Sequence, residues 1–355
     1  MTKSKYTKRA ILVELNRYHG EVLPSLVYYL NSLGYWVDIL TTADLILLDP
    51  FVYSQNLDCK IEPISNSFSQ FNWQHKVDQY DILVWNSIEP EKHLDLVSNV
   101  HAPTLAIIHN GSRLLSTEYK NFFNDKNRQA LVLSPHLQDY IANNGLTTNW
   151  IFPSYFSDIP HSGQHKSVSF CVQGKMEFKR RNYMSMIKAT KSIVRNKESK
   201  SFHVKYIGKS DSFEGFLLRS LIKLYGLTDY TRYSNQVSLY KEYLKELSVS
   251  DFLCPLIDDS KKYRSYYCEK ASSSIPISIG NGIIPILHEK FAKLYHLENI
   301  AVCYSNSKLE NALRDALNLT LEQVEEKRKE IFKFNNFMMD SSIKNLDKSI
   351  SLIGL

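Results

Sequence analysis

The sequence contains few cysteines, and none of them are paired in a metal-binding or redox spacing. Only five of the 355 residues are cysteine, and no C-x-x-C pair occurs. The five are Cys59, Cys171, Cys254, Cys268 and Cys303. A set this sparse argues against a disulfide-framed secreted scaffold and indicates reduced, mostly buried thiols. We therefore expect a cytoplasmic protein.

Long hydrophobic runs are also missing. No stretch approaches the roughly 18 apolar residues that a membrane-spanning helix needs. The basic start, MTKSKYTKR, leads into an apolar run, AILVEL, that is too short for a signal-peptide core and contains Glu14. Any membrane contact is therefore expected to be peripheral, on the inner face, with the basic start contributing to it.

Metal-ligand spacings are absent as well. Five scattered histidines show no spacing with Cys, Asp or Glu that is typical of zinc. They are His75, His93, His101, His161 and His165. The adjacent pair Asp258-Asp259 could bind a divalent cation, although neighbouring acids in a loop are usually solvated. We predict no metal site.

The charge balance is mildly basic. The chain has 43 Lys and Arg against 37 Asp and Glu, a formal net charge of +6. Either a solvated basic surface or attraction to phosphates or an anionic membrane explains this excess. A nucleic-acid binder is a third reading, but the basic residues concentrate at strand ends and not along one helix face, so we predict no nucleic-acid partner.

Apolar runs and helical patterns alternate along the chain. The first half has near-continuous apolar runs, which indicate strands buried on both faces of a parallel sheet. These runs are residues 11–15, 36–40, 81–85, 104–109 and 130–134. Between the first two, apolar residues at helical spacing predict a helix over 22–30 that Gly34 closes.

The alternation restarts after a polar stretch, SDIPHSGQHK, at residues 157–166. Further apolar runs follow at 168–172, 203–208, 251–256 and 282–287, and charged and apolar residues then alternate at helical spacing to the end. A chain of 355 residues is longer than one core usually fills. We predict an α/β protein of two Rossmann-like domains that face a cleft, with ligands at the carboxyl ends of the strands.

The stretch SFCVQGKMEFKRRNYMSMIKA, residues 169–189, carries the strongest functional signal. A strand ends at Gly174, and four cations then lead into a helix, whose first turn already carries partial positive charge. The four are Lys175, Lys179, Arg180 and Arg181. Glycine lets a backbone approach a phosphate, and cations donate charge-assisted hydrogen bonds to it. This pattern predicts a diphosphate site; the alternative is a solvated basic turn.

A second stretch, residues 251–287, supports that prediction. A buried strand reaches Pro255, a basic loop follows, and Glu269-Lys270 precede a turn, Gly282-Ile283-Ile284-Pro285-Ile286. With the glycine loop, this layout resembles the GT-B glycosyltransferases, particularly family four. The resemblance implies that Gly174, Lys179, Arg180, Arg181, Gly208, Lys270 and Gly282 bind a nucleotide diphosphate-sugar. It also implies that Glu269 is a catalytic residue that holds the ribose or sugar hydroxyls.

The chain departs from the family pattern at two positions. Ile277 stands where the family has the second glutamate of its pair, and Pro276 falls inside a segment that is one helix in the family. The sequence Tyr267-Cys268-Glu269-Lys270 also resembles the Tyr-x-x-Glu-Lys of α-1,3-fucosyltransferases, which share the GT-B fold. The missing glutamate leaves open a non-catalytic GT-B-like subunit that binds a glycan or a partner enzyme.

Two histidines are candidates for the base. His19 follows the first strand in the loop Asn16-Arg17-Tyr18-His19-Gly20-Glu21, and His109 follows the strand at 104–109. A histidine with a pKa near 6.5 can take a proton from a sugar hydroxyl at neutral pH, and Gly20 leaves room beside His19. We select His19 as the catalytic base; a hydrogen-bonded structural role is the alternative for either ring.

The resemblance completes the sequence-based prediction. It implies a glycosyltransferase that needs neither metal nor cofactor and transfers a sugar to a glycan, lipid-linked or protein acceptor. Residues 1–156 would bind the acceptor, 157–166 would be a linker, and 167–335 would bind the nucleotide-sugar donor. Residues 336–355 would be a helix that returns to the first domain.

Overall fold

The structure, a computed structural model, divides the chain into two compact units. Its described residues are 5–17, 19–52, 54, 56–64, 76–89, 92–155, 167–196, 200–209, 211–234, 239–305 and 308–355. Unit 1 comprises Met1–Ser157, Cys268–Ala271 and Asn336–Leu355, and unit 2 comprises Asp158–Tyr267 and Ser272–Asn335. The predicted linker at 157–166 lies outside the described residues.

Unit 1 contains a seven-stranded parallel sheet in the order β3-β2-β1-β4-β5-β6-β7. Its strands are β1 (Lys8–Glu14), β2 (Tyr35–Thr42), β3 (Cys59–Ile64), β4 (Ile82–Trp85), β5 (Thr104–Ile108), β6 (Arg128–Val132) and β7 (Asn149–Trp150). Its helices are α1 (Leu23–Ser32), α2 (Ala43–Leu48), α3 (Lys92–Ser98), α4 (Thr117–Phe123) and α5 (Pro135–Ala142), with 3-10 turns at Gly20–Val22 and Gly111–Leu115.

The central strands of unit 1 are apolar throughout because both faces of the sheet are covered. Along β1, Ile11 and Val13 belong to one buried cluster, whereas Ala10 and Leu12 belong to another. Successive strand residues point to opposite faces, so the two clusters are the two layers of the core. The continuous run at 11–15 therefore predicted a parallel sheet correctly.

Unit 2 contains a six-stranded parallel sheet in the order β10-β9-β8-β11-β12-β13. Its strands are β8 (Val168–Gln173), β9 (Phe202–Ile207), β10 (Thr231–Ser234), β11 (Phe252–Leu253), β12 (Ile284–His288) and β13 (Val302–Tyr304). Its helices are α6 (Tyr183–Arg195), α7 (Phe213–Leu224), α8 (Tyr240–Ser248), α9 (Ser265–Cys268), α10 (Ser274–Gly280), α11 (Glu289–Leu294) and α12 (Leu309–Asn318).

The chain ends in a long helix, α13 (Leu321–Leu352), whose last part belongs to unit 1. Leu346, Ile350 and Ile353 are buried in the same core layer as the residues of α1. The Ser342 hydroxyl accepts a hydrogen bond from the Phe152 main-chain N–H at 2.8 Å. The tail thus completes the core of unit 1. In the part of the chain that the structure describes, no helix is long and apolar enough to span a membrane.

Candidate active site

Each sheet has a topological switch point, where the next strands along the chain lie on opposite sides. In unit 1 this point is between β1 and β4, and in unit 2 it is between β8 and β11. Open α/β sheets bind ligands outside the carboxyl ends of the strands at such points. Polar side chains cluster at both positions in this protein.

In unit 1 the cluster is built around Glu14, the last residue of β1. Its side chain is 0% exposed. The carboxyl accepts hydrogen bonds from Asn86 Nδ2 at 2.6 Å, from Ser87 Oγ at 2.7 Å and from the Asn16 main-chain N–H. Asn86 and Ser87 come directly after β4, so the register of the two central strands brings these residues together.

One histidine ring contacts two of the residues that donate to this carboxyl, and a second histidine lies against the first. The Nε2 atom of His109, at the end of β5, lies 2.9 Å from the Asn86 carbonyl oxygen and 3.2 Å from Ser87 Oγ. The His19 and His109 ring centroids are 3.9 Å apart. The structure therefore brings both predicted base candidates into one site. We call Glu14, His19, Asn86, Ser87 and His109 the histidine–glutamate cluster.

Burial shifts the ionisation of this cluster toward neutral forms. Desolvation raises the pKa of Glu14 to about 8, against the lowering effect of its three hydrogen-bond donors. Desolvation, together with the nearby His19, holds the pKa of His109 well below 6.5, while the Asn86 carbonyl opposes that shift. His109 is thus a neutral imidazole at pH 7, the form that can accept a proton. Perturbed groups of this kind concentrate at functional sites.

Glu269 and Lys270 lie in unit 1, although the sequence-based boundaries placed them in the second domain. The Glu269 carbonyl accepts a hydrogen bond from the Gly111 main-chain N–H at 2.7 Å. Lys270 forms an isolated antiparallel bridge with Asn110. Within unit 1, Glu269 and Lys270 are therefore held beside the end of β5, next to His109.

In unit 2 two glycines meet at the ends of neighbouring strands. Gly174 follows β8 with φ +101°, and Gly208 follows β9 with φ +143°. A β-carbon on Gly208 would lie 2.4 Å from the Gly174 carbonyl oxygen. No side chain fits at Gly208, so the two main chains form a floor without side chains at the strand ends.

Arg181 lies against this floor. Its side chain approaches so closely that a β-carbon on Gly174 would lie 2.5 Å from Arg181 Nη2. Arg181 is only 8% exposed, and its Nε has no hydrogen-bond partner among the described residues. A buried guanidinium N–H without an acceptor is costly, and an anion bound there would supply one. We call Gly174, Gly208 and Arg181 the glycine–arginine site.

The other three cations of this stretch share one carboxylate, that of Glu177. Glu177, which is buried, lies 2.6 Å from Lys175 Nζ, 2.5 Å from Arg180 Nε and 3.9 Å from Lys179 Nζ. Lys179 and Arg180 themselves are exposed, with side chains 72% and 56% accessible. Glu177 therefore offsets part of the repulsion between the cations near the start of the helix, and the sequence-based prediction did not include it.

The helix begins after the four cations. Asn182 is its N-cap, and its side chain accepts a hydrogen bond from Ser185 N. The cations precede the first turn, so they do not oppose the helix dipole from within it.

Gly282 lies at the other edge of the sheet. It follows helix α10 and precedes β12, so it is at the amino ends of the strands, whereas Gly174 and Gly208 are at the carboxyl ends. Its φ of +65° and the hydrogen bond from Ile283 N to Ser278 O end the helix. Gly282 is therefore not part of the glycine–arginine site, and its glycine is needed for the turn.

The acidic pair in unit 2 has partners of its own. Asp258 accepts a hydrogen bond from Asn182 Nδ2 at 2.6 Å, and Asp259 pairs with Lys290 at 2.7 Å. Within the described ranges, no group of three or more His, Cys, Asp or Glu side chains could hold a metal ion.

Sequence reasoning missed Glu14, Asn86, Ser87 and Glu177. Glu14 had a visible signal, because a carboxylate that ends a fully apolar strand is unusual. Asn86 and Ser87 directly follow the run at 81–85, so they could have been assigned to the same sheet edge as His109. Glu177 lies inside the basic stretch, but only the folded loop shows that it is buried.

Comparison with solved structures confirms the predicted GT-B fold. A glycosyltransferase from Rickettsia africae matches with a TM-score of 0.63 and 14% identity over 98% of this chain and 100% of that chain. HepE from Anabaena, in complex with UDP, matches with a TM-score of 0.59 and 11% identity over 97% and 100%. The N-terminal domain of Candida albicans trehalose-6-phosphate phosphatase matches with a TM-score of 0.60 and 8% identity over 97% and 99%. No protein-family model and no curated protein sequence matches the chain.

Proposed function

We propose that this protein is a glycosyltransferase that binds a nucleotide diphosphate-sugar through unit 2 and transfers the sugar to a hydroxyl of a glycan, lipid-linked or protein acceptor. The observation that carries the proposal is Arg181, which is buried against the Gly174–Gly208 floor at the switch point and whose Nε has no hydrogen-bond partner among the described residues. The likeness to a UDP-bound protein of the same fold supports a nucleotide ligand.

The chemistry divides between the two clusters. The acceptor oxygen bonds to the anomeric carbon, and the bond from that carbon to the diphosphate breaks with its electron pair on the diphosphate. Arg181 stabilises the charge that develops there, because a guanidinium matches phosphate oxygens with two parallel donors. The acceptor proton goes to a histidine of the histidine–glutamate cluster. In this proposal cations of the protein supply the electrostatic stabilisation, and activity should persist in a chelator.

The first experiment is a thermal-shift screen with UDP, GDP, CMP and dTDP and their sugars, because a ligand that binds only the native state raises Tm. The ligand that responds is then titrated by calorimetry against Arg181→Gln and Arg180→Gln. These variants lose the same charge at adjacent positions, but Arg180 is exposed and paired with Glu177.

We expect Arg181→Gln to weaken nucleotide binding at least about tenfold, the scale of one charged hydrogen-bonded contact, and Arg180→Gln to weaken it less than about threefold. The proposal fails if no nucleotide raises Tm or if the two variants behave alike. Nucleotide binding with no detectable sugar transfer or donor hydrolysis would favour the alternative, a non-catalytic subunit. The feature that favours this alternative is Ile277, which is buried at the position where the family has its second glutamate.

A further inference from the structure

Helix α7 of unit 2 exposes large apolar side chains to solvent. Phe213 and Leu224, near its two ends, are each 79% exposed, and Phe216 is 61% exposed. The opposite side of the helix is buried through Gly215, Leu218 and Ile222. A helix whose outer side is apolar as well as its buried side indicates an interaction surface.

The exposed apolar residues follow the helical repeat. Phe213, Leu217 and Leu224 are spaced i, i+4 and i+11, so at 3.6 residues per turn they lie on one stripe, which Phe216 borders. At 1.5 Å per residue this stripe is about 16 Å long. The exposed residues therefore form one continuous strip and not scattered points.

The neighbouring helix α6 adds a row of cations beside this strip. The connections β8-α6-β9 and β9-α7-β10 cross the sheet in the same direction, so both helices lie on one face of it. Lys191 Nζ of α6 lies 4.7 Å from the ring centroid of Tyr225, which directly follows α7. Lys188, Lys191 and Arg195 are all exposed and share one side of α6.

The two helices are strongly basic. They contain five cations, namely Lys188, Lys191, Arg195, Arg219 and Lys223, and a single acid, Glu214. Glu214 accepts a hydrogen bond from the Phe178 main-chain N–H at 3.2 Å, in the loop before α6. We call the exposed sides of α6 and α7 the α6–α7 face; it combines an apolar strip with a net positive charge.

We propose that the α6–α7 face binds the surface of an anionic lipid bilayer. A helix with large apolar residues on its exposed side and Lys and Arg beside them lies in the plane of the bilayer interface. The apolar strip would enter the boundary between headgroups and acyl chains, and the cations would contact lipid phosphates. This surface differs from the basic start of the chain, where the sequence-based prediction placed membrane contact.

The charge and the apolar strip together favour a bilayer over other occupants. A second copy of this chain would bring two sets of five cations together, and juxtaposed like charges oppose association. A nucleic acid would satisfy the cations through its phosphates, but it would leave the apolar strip in water. An anionic bilayer matches both features at once.

The α6–α7 face begins beside the glycine–arginine site. Asn182, the N-cap of α6, directly follows Arg181, and α7 begins five residues after Gly208. A docked face would therefore hold that site close to the bilayer surface. If the proposed function holds, on which this step rests, the acceptor is the lipid-linked one of the three classes.

The test is flotation of the full-length protein with lipid vesicles, without nucleotide. One set of vesicles is phosphatidylcholine alone, and the other contains about one-third phosphatidylglycerol. We expect binding to the anionic vesicles to be at least about tenfold tighter and to weaken as salt is raised, because the cations are exposed.

The first pair of variants tests the apolar strip. Phe213→Ser with Phe216→Ser should weaken binding to anionic vesicles at least about tenfold, since two rings no longer enter the interface. The matched control is Phe332→Ser with Phe337→Ser, which removes two rings of α13 that are 56% and 63% exposed. The control should weaken binding less than about threefold. All four rings are exposed, so Tm should change little in either variant.

The second pair of variants tests the cations. The test variant, with Gln at all three positions, changes Lys188, Lys191 and Arg195. The control removes the same charge elsewhere in unit 2, at the exposed Lys241, Lys245 and Lys293. We expect a loss of at least about tenfold in the test variant and of less than about threefold in the control, because attraction to lipid depends on distance from the bilayer.

Three outcomes would overturn the proposal: no binding of the wild type to anionic vesicles, equal binding to both kinds of vesicle, or equal losses within either pair of variants. A dimer in sedimentation velocity that Phe213→Ser with Phe216→Ser dissociates would assign the face to a second copy instead. If that double variant does not fold, Leu224→Ser at the other end of the strip replaces it.

This inference and the proposed function fail separately, because vesicle binding is measured without nucleotide. A protein that binds and transfers a sugar but ignores vesicles would refute only the docking face. A protein that binds anionic vesicles through this face but no nucleotide would refute only the transferase.

Discussion

The main chains of Gly174 and Gly208 meet so closely that a β-carbon on Gly208 would lie 2.4 Å from the Gly174 carbonyl oxygen. Gly174 N also donates to the Ile207 carbonyl at 2.7 Å, so the contact is fixed by the sheet itself. The bare backbone beside Arg181 is thus a consequence of strand pairing.

We expect Gly208→Ala to destabilise the protein and to abolish nucleotide binding, because the methyl group collides with main-chain atoms that cannot turn away. The matched control is Gly226→Ala in the same unit, where φ is +70° but nothing lies within 4 Å of the added carbon. Gly226→Ala should lower the free energy of unfolding by about 1–2 kcal/mol, because of left-handed backbone strain alone. Gly208→Ala should lower it by about 1–3 kcal/mol more, because of the added collision. Denaturant unfolding measures both; equal losses would contradict the close contact.

Glu177→Gln should strengthen nucleotide binding a few-fold at low salt. The substitution removes the carboxylate that pairs with Lys175 and Arg180, so the positive potential beside the glycine–arginine site increases. The gain should shrink as salt is raised, because exposed cations are screened. Calorimetry at two ionic strengths measures it. The control is Glu310→Gln, which breaks the ion pair with Arg314 elsewhere in unit 2 and should leave nucleotide affinity unchanged. Weaker nucleotide binding in Glu177→Gln would contradict the prediction and would mean that the Glu177 carboxylate holds the loop in its binding conformation.

Glu14 should make stability fall as pH rises. Its pKa is about 8 in the folded protein, against an ordinary value of 4.5, so the folded state binds the extra proton between those values. The stabilising contribution is complete below about pH 4.5 and is lost as pH rises through 8. Between pH 6.5 and 9 the free energy of unfolding should fall by about 2 kcal/mol more in the wild type than in Glu14→Gln. Urea unfolding at both pH values is the measurement, and parallel declines would contradict burial of this carboxyl.

Leu346→Ala should destabilise unit 1 by about 2–5 kcal/mol, because it leaves a cavity in the layer shared with α1. Phe337→Ala, in the same helix but 63% exposed, should change stability by less than about 0.5 kcal/mol. Protection of α1 amides in hydrogen exchange would show where the loss occurs. Equal effects of the two substitutions would mean that the tail does not complete this core.

Much of the fold was predictable because central parallel strands are apolar on both faces. The runs at 11–15, 104–109 and 168–172 match β1, β5 and β8 within a few residues. Edge strands were not predictable, because β3 is largely exposed and reads as a polar loop. The run at 251–256 shortens to the two residues of β11, and Pro276 lies in the first turn of a new helix, α10, after a break at 269–273.

The sequence by itself determined the two parallel sheets, since these follow from local apolar pattern and strand order. It also predicted Gly174, Arg181, His19 and His109 as candidates from residue type and position. Only the tertiary structure decided which cation of the basic stretch is buried at the strand ends and which carboxyl lies near the histidines. Glu177 pairs with its sequence neighbours, but only the fold buries it. Glu14 takes Asn86 and Ser87 as partners through the register of two strands, and burial then raises its pKa. Those contacts are non-local, so no pattern along the chain encodes them.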